Sequence, residues 1–172
     1  MSGNSHSPEA FTIFIQELET ALEHISGQYA KNRDMTRRIQ KQHEDNQPVD
    51  EFDWSALGYT IHNIYNAMEN YFLRISKFFE NNLPENGWHK NLIDRMSFNV
   101  EDIRPALLPN HSRKIFHELR SFRHVFRNLY DTQLDGRRIE LVNQTVPEAV
   151  ETIIESHRTF TGKLEQIRSG LQ

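Results

Sequence analysis

Apolar residues recur every three or four positions along almost the whole chain, the period of an α-helix buried on one side. A first run, Phe11, Phe14, Ile15, Leu18, Leu22, Ile25 and Tyr29, follows Ser7-Pro8. Serine caps a helix there and proline suits its first position. From Lys31 to Asp45 the stripe thins into charge, which fits either a solvated continuation or a frayed end. Residues 46–52 read as a linker because Asn46-Gln47-Pro48 punctuates the pattern. A second long stripe runs from Asp53 to Asn82 through Trp54, Leu57, Ile61, Ile64, Met68, Phe72, Ile75 and Phe79. After a turn at Leu83–Gly87, a short helix from Trp88 or His89 to Asn99 carries Leu92, Ile93 and Met96. A helix from Asn110 to Tyr130 buries Ile115, Leu119, Phe122, Phe126 and Leu129. A brief helix over 137–143 leads to Thr145-Val146-Pro147-Glu148, the spacing of a reciprocal capping box. The last helix carries Val150, Ile153, Ile154, His157, Phe160, Leu164 and Ile167.

These elements predict an all-α, four-helix-type bundle with short additional helices, residues 1–172 forming one domain and 1–7 lacking order. The chain has 172 residues, enough for one sizeable core. Only seven Gly and six Pro interrupt it, which suits long helices. The absence of cysteine excludes disulfides, thiolate catalysis and Cys-rich zinc sites. The N-terminus lacks the basic start and apolar run of a signal peptide, and no apolar stretch approaches membrane-spanning length. A cytoplasmic location is the expectation. The formal net charge of −4 argues against indiscriminate nucleic-acid binding.

One helix departs from that average. Between Arg113 and Arg127 it carries Arg113, Lys114, Arg120, Arg123 and Arg127 against a single acid, Glu118. Guanidinium forks match phosphate oxygens, so the cluster points to a phosphate-bearing partner. Helical spacing puts Arg120, Arg123, Arg127 and Tyr130 on one face. His117, Arg120, His124 and Asn128 share the adjacent face. A phosphodiester lying across both would meet guanidiniums for its charge and imidazoles for its protons, the groups that RNA cleavage without a metal needs. Charge-rich helix faces are also commonly just solvated, paired with acidic neighbours. On a straight helix Arg123 and Asn128, five positions apart, diverge by about 140°. They converge only where the helix ends or distorts, or where a second subunit completes the site.

Other chemistries are weakly represented. Nine histidines show no metal-binding helical spacing, and His117 and His124 stand two turns apart, so no metal or cofactor is expected. His157 lies on an apolar stripe and reads as a hydrogen-bonded packing residue. The Trp54, Phe72, Phe78 and Phe79 aromatics read as core. Trp88 reads as a staple onto the bundle, with His89 beside it in a structural role.

From about Tyr59 onward, over roughly two thirds of the chain, the sequence resembles HepT-like proteins of the HEPN superfamily. The resemblance is carried by Ile61-His62-Asn63-Ile64-Tyr65-Asn66-Ala67-Met68-Glu69, by Leu83-Pro84-Glu85-Asn86-Gly87-Trp88-His89, and most specifically by Leu119-Arg120-Ser121-Phe122-Arg123-His124-Val125-Phe126-Arg127-Asn128-Leu129-Tyr130. It implies a HEPN-type bundle that dimerises, with two motif regions facing one cleft. It implies a metal-independent endoribonuclease that serves as the toxin of a toxin–antitoxin system. The partner implied is a nucleotidyltransferase antitoxin of the MNT type, which in some systems adds AMP to the motif tyrosine.

The family motif is Arg, a polar residue directly after it, a few further residues, then His, often with Tyr two positions later. Arg123, His124 and Tyr130 match the Arg, the polar residue and the Tyr, and Arg120 and Arg127 would hold the RNA backbone. Asn128 stands where the family has His. An amide has no titration near neutral pH and cannot act as general acid or base. Three explanations compete: a natural variant with weakened cleavage, transfer of the proton role to His124 or His117, or an inactivating substitution. A non-catalytic module binding nucleotide, RNA or a protein partner is the alternative function, and a purely structural bundle is a weaker third.

Overall fold

The computed structural model describes residues 6–80, 88–101, 103–128 and 135–171, without the side chains of residues 88–90. Six α-helices follow in order: α1 Pro8–Glu44, α2 Glu51–Phe79, α3 Trp88–Met96, α4 Arg113–Arg127, α5 Gly136–Asn143 and α6 Val146–Gly170. A 3₁₀ turn, Asn110–Ser112, leads into α4. Among the described residues the only β pairing is an isolated bridge between Val100 and Arg104. The architecture is thus all-α. No described helix is long and apolar enough to cross a membrane.

Helix α2 is the central element. Leu57, Ile61, Ile64, Met68, Phe72 and Ile75 are buried, as the stripe predicts, while Trp54 and Phe79 are half-buried at its ends. Helix α1 packs along one side of α2, α4 along another, and α6 closes the core with Val150, Ile153, Phe160 and Leu164. Burying side chains of this size stabilises by about 1.5–3 kcal/mol each. Tyr71 and His157, buried and half-buried, share a 2.8 Å hydrogen bond between α2 and α6, so His157 is a packing residue.

The charged stretch of α1 continues the helix to Glu44, because its inner face has partners. Asn32 Nδ2 donates to Thr60 Oγ1 on α2 and to Asn143 Oδ1 on α5. Arg38 and Gln42 both donate to the nearly buried carboxylate of Asp53, and Ile39 is buried. Helix α2 starts at Glu51, two residues before the expected Asp53, because the Asp50 side chain accepts from the Asp53 amide and caps it. Of residues 1–7, expected to lack order, His6 stacks on Phe78 at 3.9 Å and Ser7 caps α1; residues 1–5 lie outside the described set.

The capping box at Thr145 does not form. Thr145 has helical backbone angles and no side-chain cap bond, and its hydroxyl donates to Val142 O instead. The chain passes from α5 to α6 through helical geometry, so the extended backbone that a capping box needs is missing. Arg104, whose side chain is fully buried, ties the α3–α4 connection to the end of α2. It binds Glu80 and donates to the carbonyls of Arg95 and Phe98.

Candidate functional site at the α2–α4 seam

Helix α4 buries Phe116, Leu119 and Phe122 against α2, with Ile115 and Phe126 half-buried. Phe116, absent from the expected stripe, takes the fully buried position. Gly58 leaves room for Phe126 of α4: a Cβ there would lie 2.5 Å from its ring. This packing sets a seam in which the arginine face of α4 meets a polar stripe of α2.

Arg123 lies inside that seam. Its Nη1 donates to Glu69 Oε2 and to Asn66 Oδ1, both at 2.9 Å, and its Nη2 donates to Glu69 Oε1 at 3.2 Å. Its guanidinium carbon lies 5.2 Å from the centre of the Tyr65 ring. The side chains of Arg123 and Glu69 are 13% and 6% exposed, so this is a desolvated fork-to-fork ion pair. Three of the five guanidinium N–H donors are engaged by Asn66 and Glu69, which leaves Nε and one Nη2 hydrogen outside these bonds.

The amide of Asn66 links this pair to an imidazole. Its Oδ1 accepts from Arg123, so its Nδ2 faces His62 Nε2 at 2.8 Å. That nitrogen must then accept, which places the proton of neutral His62 on Nδ1. Partial burial first, then the charges of Arg123 and Arg127, push the His62 pKa below its ordinary value. His62 Nδ1, the Tyr65 hydroxyl and Arg120 Nε are buried with no hydrogen-bond partner. Burial, followed by the charge of Glu69, drives the Tyr65 pKa well above its ordinary value, so the phenol stays protonated.

The predicted site residues separate. Helical spacing puts Arg120, Arg123 and Arg127 on one face of α4; Arg123 lies over the Tyr65 ring, the charges of Arg123 and Arg120 act on Tyr65, and those of Arg123 and Arg127 act on His62. His124 is exposed, and its carbonyl accepts from Asn128. His117 is paired with Asp94 of α3 at 2.9 Å. Asn128 terminates α4, and its Nδ2 donates to His124 O at 2.8 Å, satisfying an orphan carbonyl of the last turn. The end of the helix therefore does not bring Asn128 to Arg123 within one chain; the two hold different partners. Leu129 and Tyr130 lie outside the described residues, as does the Leu83–Gly87 turn, and so do the side chains of Trp88 and His89.

The sequence reading passed over His62, Tyr65, Asn66 and Glu69 as site residues. The usable signal is the spacing of His62, Asn66 and Glu69 at i, i+4 and i+7, which makes a polar stripe beside the apolar one on α2.

The fold defines an all-α bundle of HEPN type, in which arginines of α4 meet a polar stripe of α2. A family model described as HepT-like protein matches residues 56–164, and the chain belongs to that family. The match includes every seam residue named here. No curated protein and no solved structure matches the chain.

Proposed function

We propose that this HepT-like protein is a metal-independent endoribonuclease, the toxin of a toxin–antitoxin system, with the α2–α4 seam as its active site. The observation that carries the reading is the linked set Glu69–Arg123–Asn66–His62, with Arg120 and Arg127 about one turn to either side of Arg123 on α4. Such a set can bind a phosphodiester, stabilise the extra charge of its transition state and move a proton. Arg123, oriented from behind by Glu69 and Asn66, offers its outward donors to the scissile phosphate. Arg127, exposed at the end of α4, and Arg120 hold the flanking backbone. Asn128 occupies the motif position that the family resemblance assigns to His, with His124 beside the motif arginine. A second copy of the chain, bringing its own α4 end to the cleft, and a nucleotidyltransferase antitoxin are the proposed partners. Tyr130 is the proposed AMP acceptor.

The test is incubation of single-stranded RNA with the full chain in EDTA. Arg127→Ala is the informative variant, because Arg127 is exposed and its loss leaves the buried ion pair intact. The expected results are cleavage by the parent chain and weaker RNA binding with slower cleavage by the variant. Intact RNA with the parent chain rejects the enzyme reading. The second reading, a non-catalytic module that binds RNA or nucleotide at the same seam, is favoured by Asn128, which cannot titrate and is engaged in capping α4. Salt-sensitive RNA binding without cleavage would select it.

A further inference from the structure

We propose that His62, on the helix opposite the arginine motif, takes the proton from the attacking ribose 2′-hydroxyl, the role that Asn128 cannot fill. This deepens the ribonuclease reading and rests on it. Three placements carry the inference.

The first is position. Half-buried on α2, His62 is tied to Arg123 through the Asn66 amide, and its ring lies 6.1 Å from that of Phe126, the residue before Arg127. His117 is engaged by Asp94 on α3, and His124 is exposed. The second is protonation state. A general base must be neutral and present a lone pair. The chain Glu69–Arg123–Asn66–His62 fixes this: the carboxylate orients the guanidinium, the guanidinium orients the amide, and the amide donates to Nε2. A protonated imidazole would turn that contact into two opposed donors. The third is the surroundings. The groups facing His62 are Arg123 and Arg127 on α4, with Tyr59 and Asn66 on its own helix and Glu69 reached through Arg123. Burial first, then the two guanidiniums, favour its neutral form, and substrate phosphate offsets the guanidinium part. The imidazole then becomes more basic as the phosphate binds.

The step balances as a transesterification. His62 Nε2 exchanges its bond from Asn66 for the 2′-O–H and takes that proton. The 2′-oxygen forms a bond to phosphorus, the P–O5′ bond breaks, and the leaving 5′-oxygen takes a proton from water. The products are a 2′,3′-cyclic phosphate and a 5′-hydroxyl. His62 then returns its proton to solvent. Arg123 and Arg127 stabilise the negative phosphorane between these events.

The experiment compares the full chain with His62→Gln and His62→Ala on one single-stranded RNA in EDTA, following cleavage rate against pH. Binding of the all-2′-deoxy analogue and the melting temperature are measured on the same samples. Glutamine keeps a polar head for Asn66 but cannot titrate. The expected result is a rate loss of about 10²–10⁴-fold in both variants, with analogue binding held within about twofold. The parent rate falls on the acid side of pH 6.5, the ordinary His value below which the His62 pKa is shifted. That acid limb disappears in His62→Gln, and added imidazole partly restores His62→Ala. Parental rates in both variants, or an unchanged acid limb, overturn the inference while leaving the ribonuclease reading in place. Loss of rate together with loss of analogue binding and stability overturns it too, since that marks a structural role. A folded parent chain that cuts nothing overturns both readings.

Discussion

At the scale of single residues, the Glu69–Arg123 pair makes the sharpest demand. Removing the carboxylate leaves a guanidinium 13% exposed with its main partner gone. Breaking a buried ion pair on one side costs about 3–5 kcal/mol. Glu69→Gln is therefore expected to destabilise the chain by about 3 kcal/mol in urea denaturation, whereas Arg127→Ala on the exposed end of α4 changes stability by less than about 0.5 kcal/mol. His62 and His157 make a second demand. Burial is the largest cause lowering both pKa values, so the unfolded chain binds protons that the folded chain refuses. Stability is complete above the ordinary value of 6.5 and is lost as pH falls through it towards the depressed folded values. Denaturation midpoints measured from pH 8 to pH 5 should decline below about 6.5, and His62→Gln should flatten part of that decline. Residue by residue, the arginines of α4 were legible because a basic cluster stands out in an acidic chain. His62 was not, since a polar residue next to an apolar stripe looks like any solvated helix edge until a second helix covers it. The divergence of Arg123 and Asn128 followed from helical geometry alone, and the end of α4 does not undo it.

At the scale of elements, the seam depends on how closely α2 and α4 approach. Gly58 permits that approach, since a Cβ there would meet the edge of Phe126. Overpacking costs about 1–3 kcal/mol, and alanine returns about 1 kcal/mol of helix propensity. Gly58→Ala is thus expected to lose about 1 kcal/mol net and to slow RNA cleavage by displacing α4 from His62; calorimetry and the RNA assay check both. Helix α1 shows why charge alone misleads about helix ends. Its C-terminal half looks solvated, yet Asn32 holds Thr60 and Asn143, and Asn143 Nδ2 in turn donates to Thr36. The stripes of α2 and α6 were legible, because burial on one side imposes the 3.6-residue period. The Thr145 box was misread, because its residue pattern says nothing about whether the backbone before it is extended. The 31–45 segment could not be decided from sequence, because its partners lie on α2 and α5, as much as 111 positions away.

At the scale of the whole molecule, a chain of net charge −4 sets Arg120, Arg123 and Arg127 on one face of α4. RNA binding there should weaken steeply with salt, by about 0.7 in the logarithm of affinity per decade of salt for each phosphate contact on a single strand. Arg127→Ala should remove roughly one such contact, which fluorescence anisotropy across a salt series would register. The bundle class was legible from the stripes, and the family from the motif on α4. The geometry of the α2–α4 seam was not, because it joins residues of α2 to residues of α4 that lie 54 and 57 positions later in the chain. The most direct test of the account is the chemistry of the RNA ends after incubation with the full chain in EDTA. The account predicts new 2′,3′-cyclic phosphate and 5′-hydroxyl ends, and none when every ribose is 2′-deoxy. RNA left intact by the folded chain, or cleavage that persists on the all-deoxy strand, would contradict it.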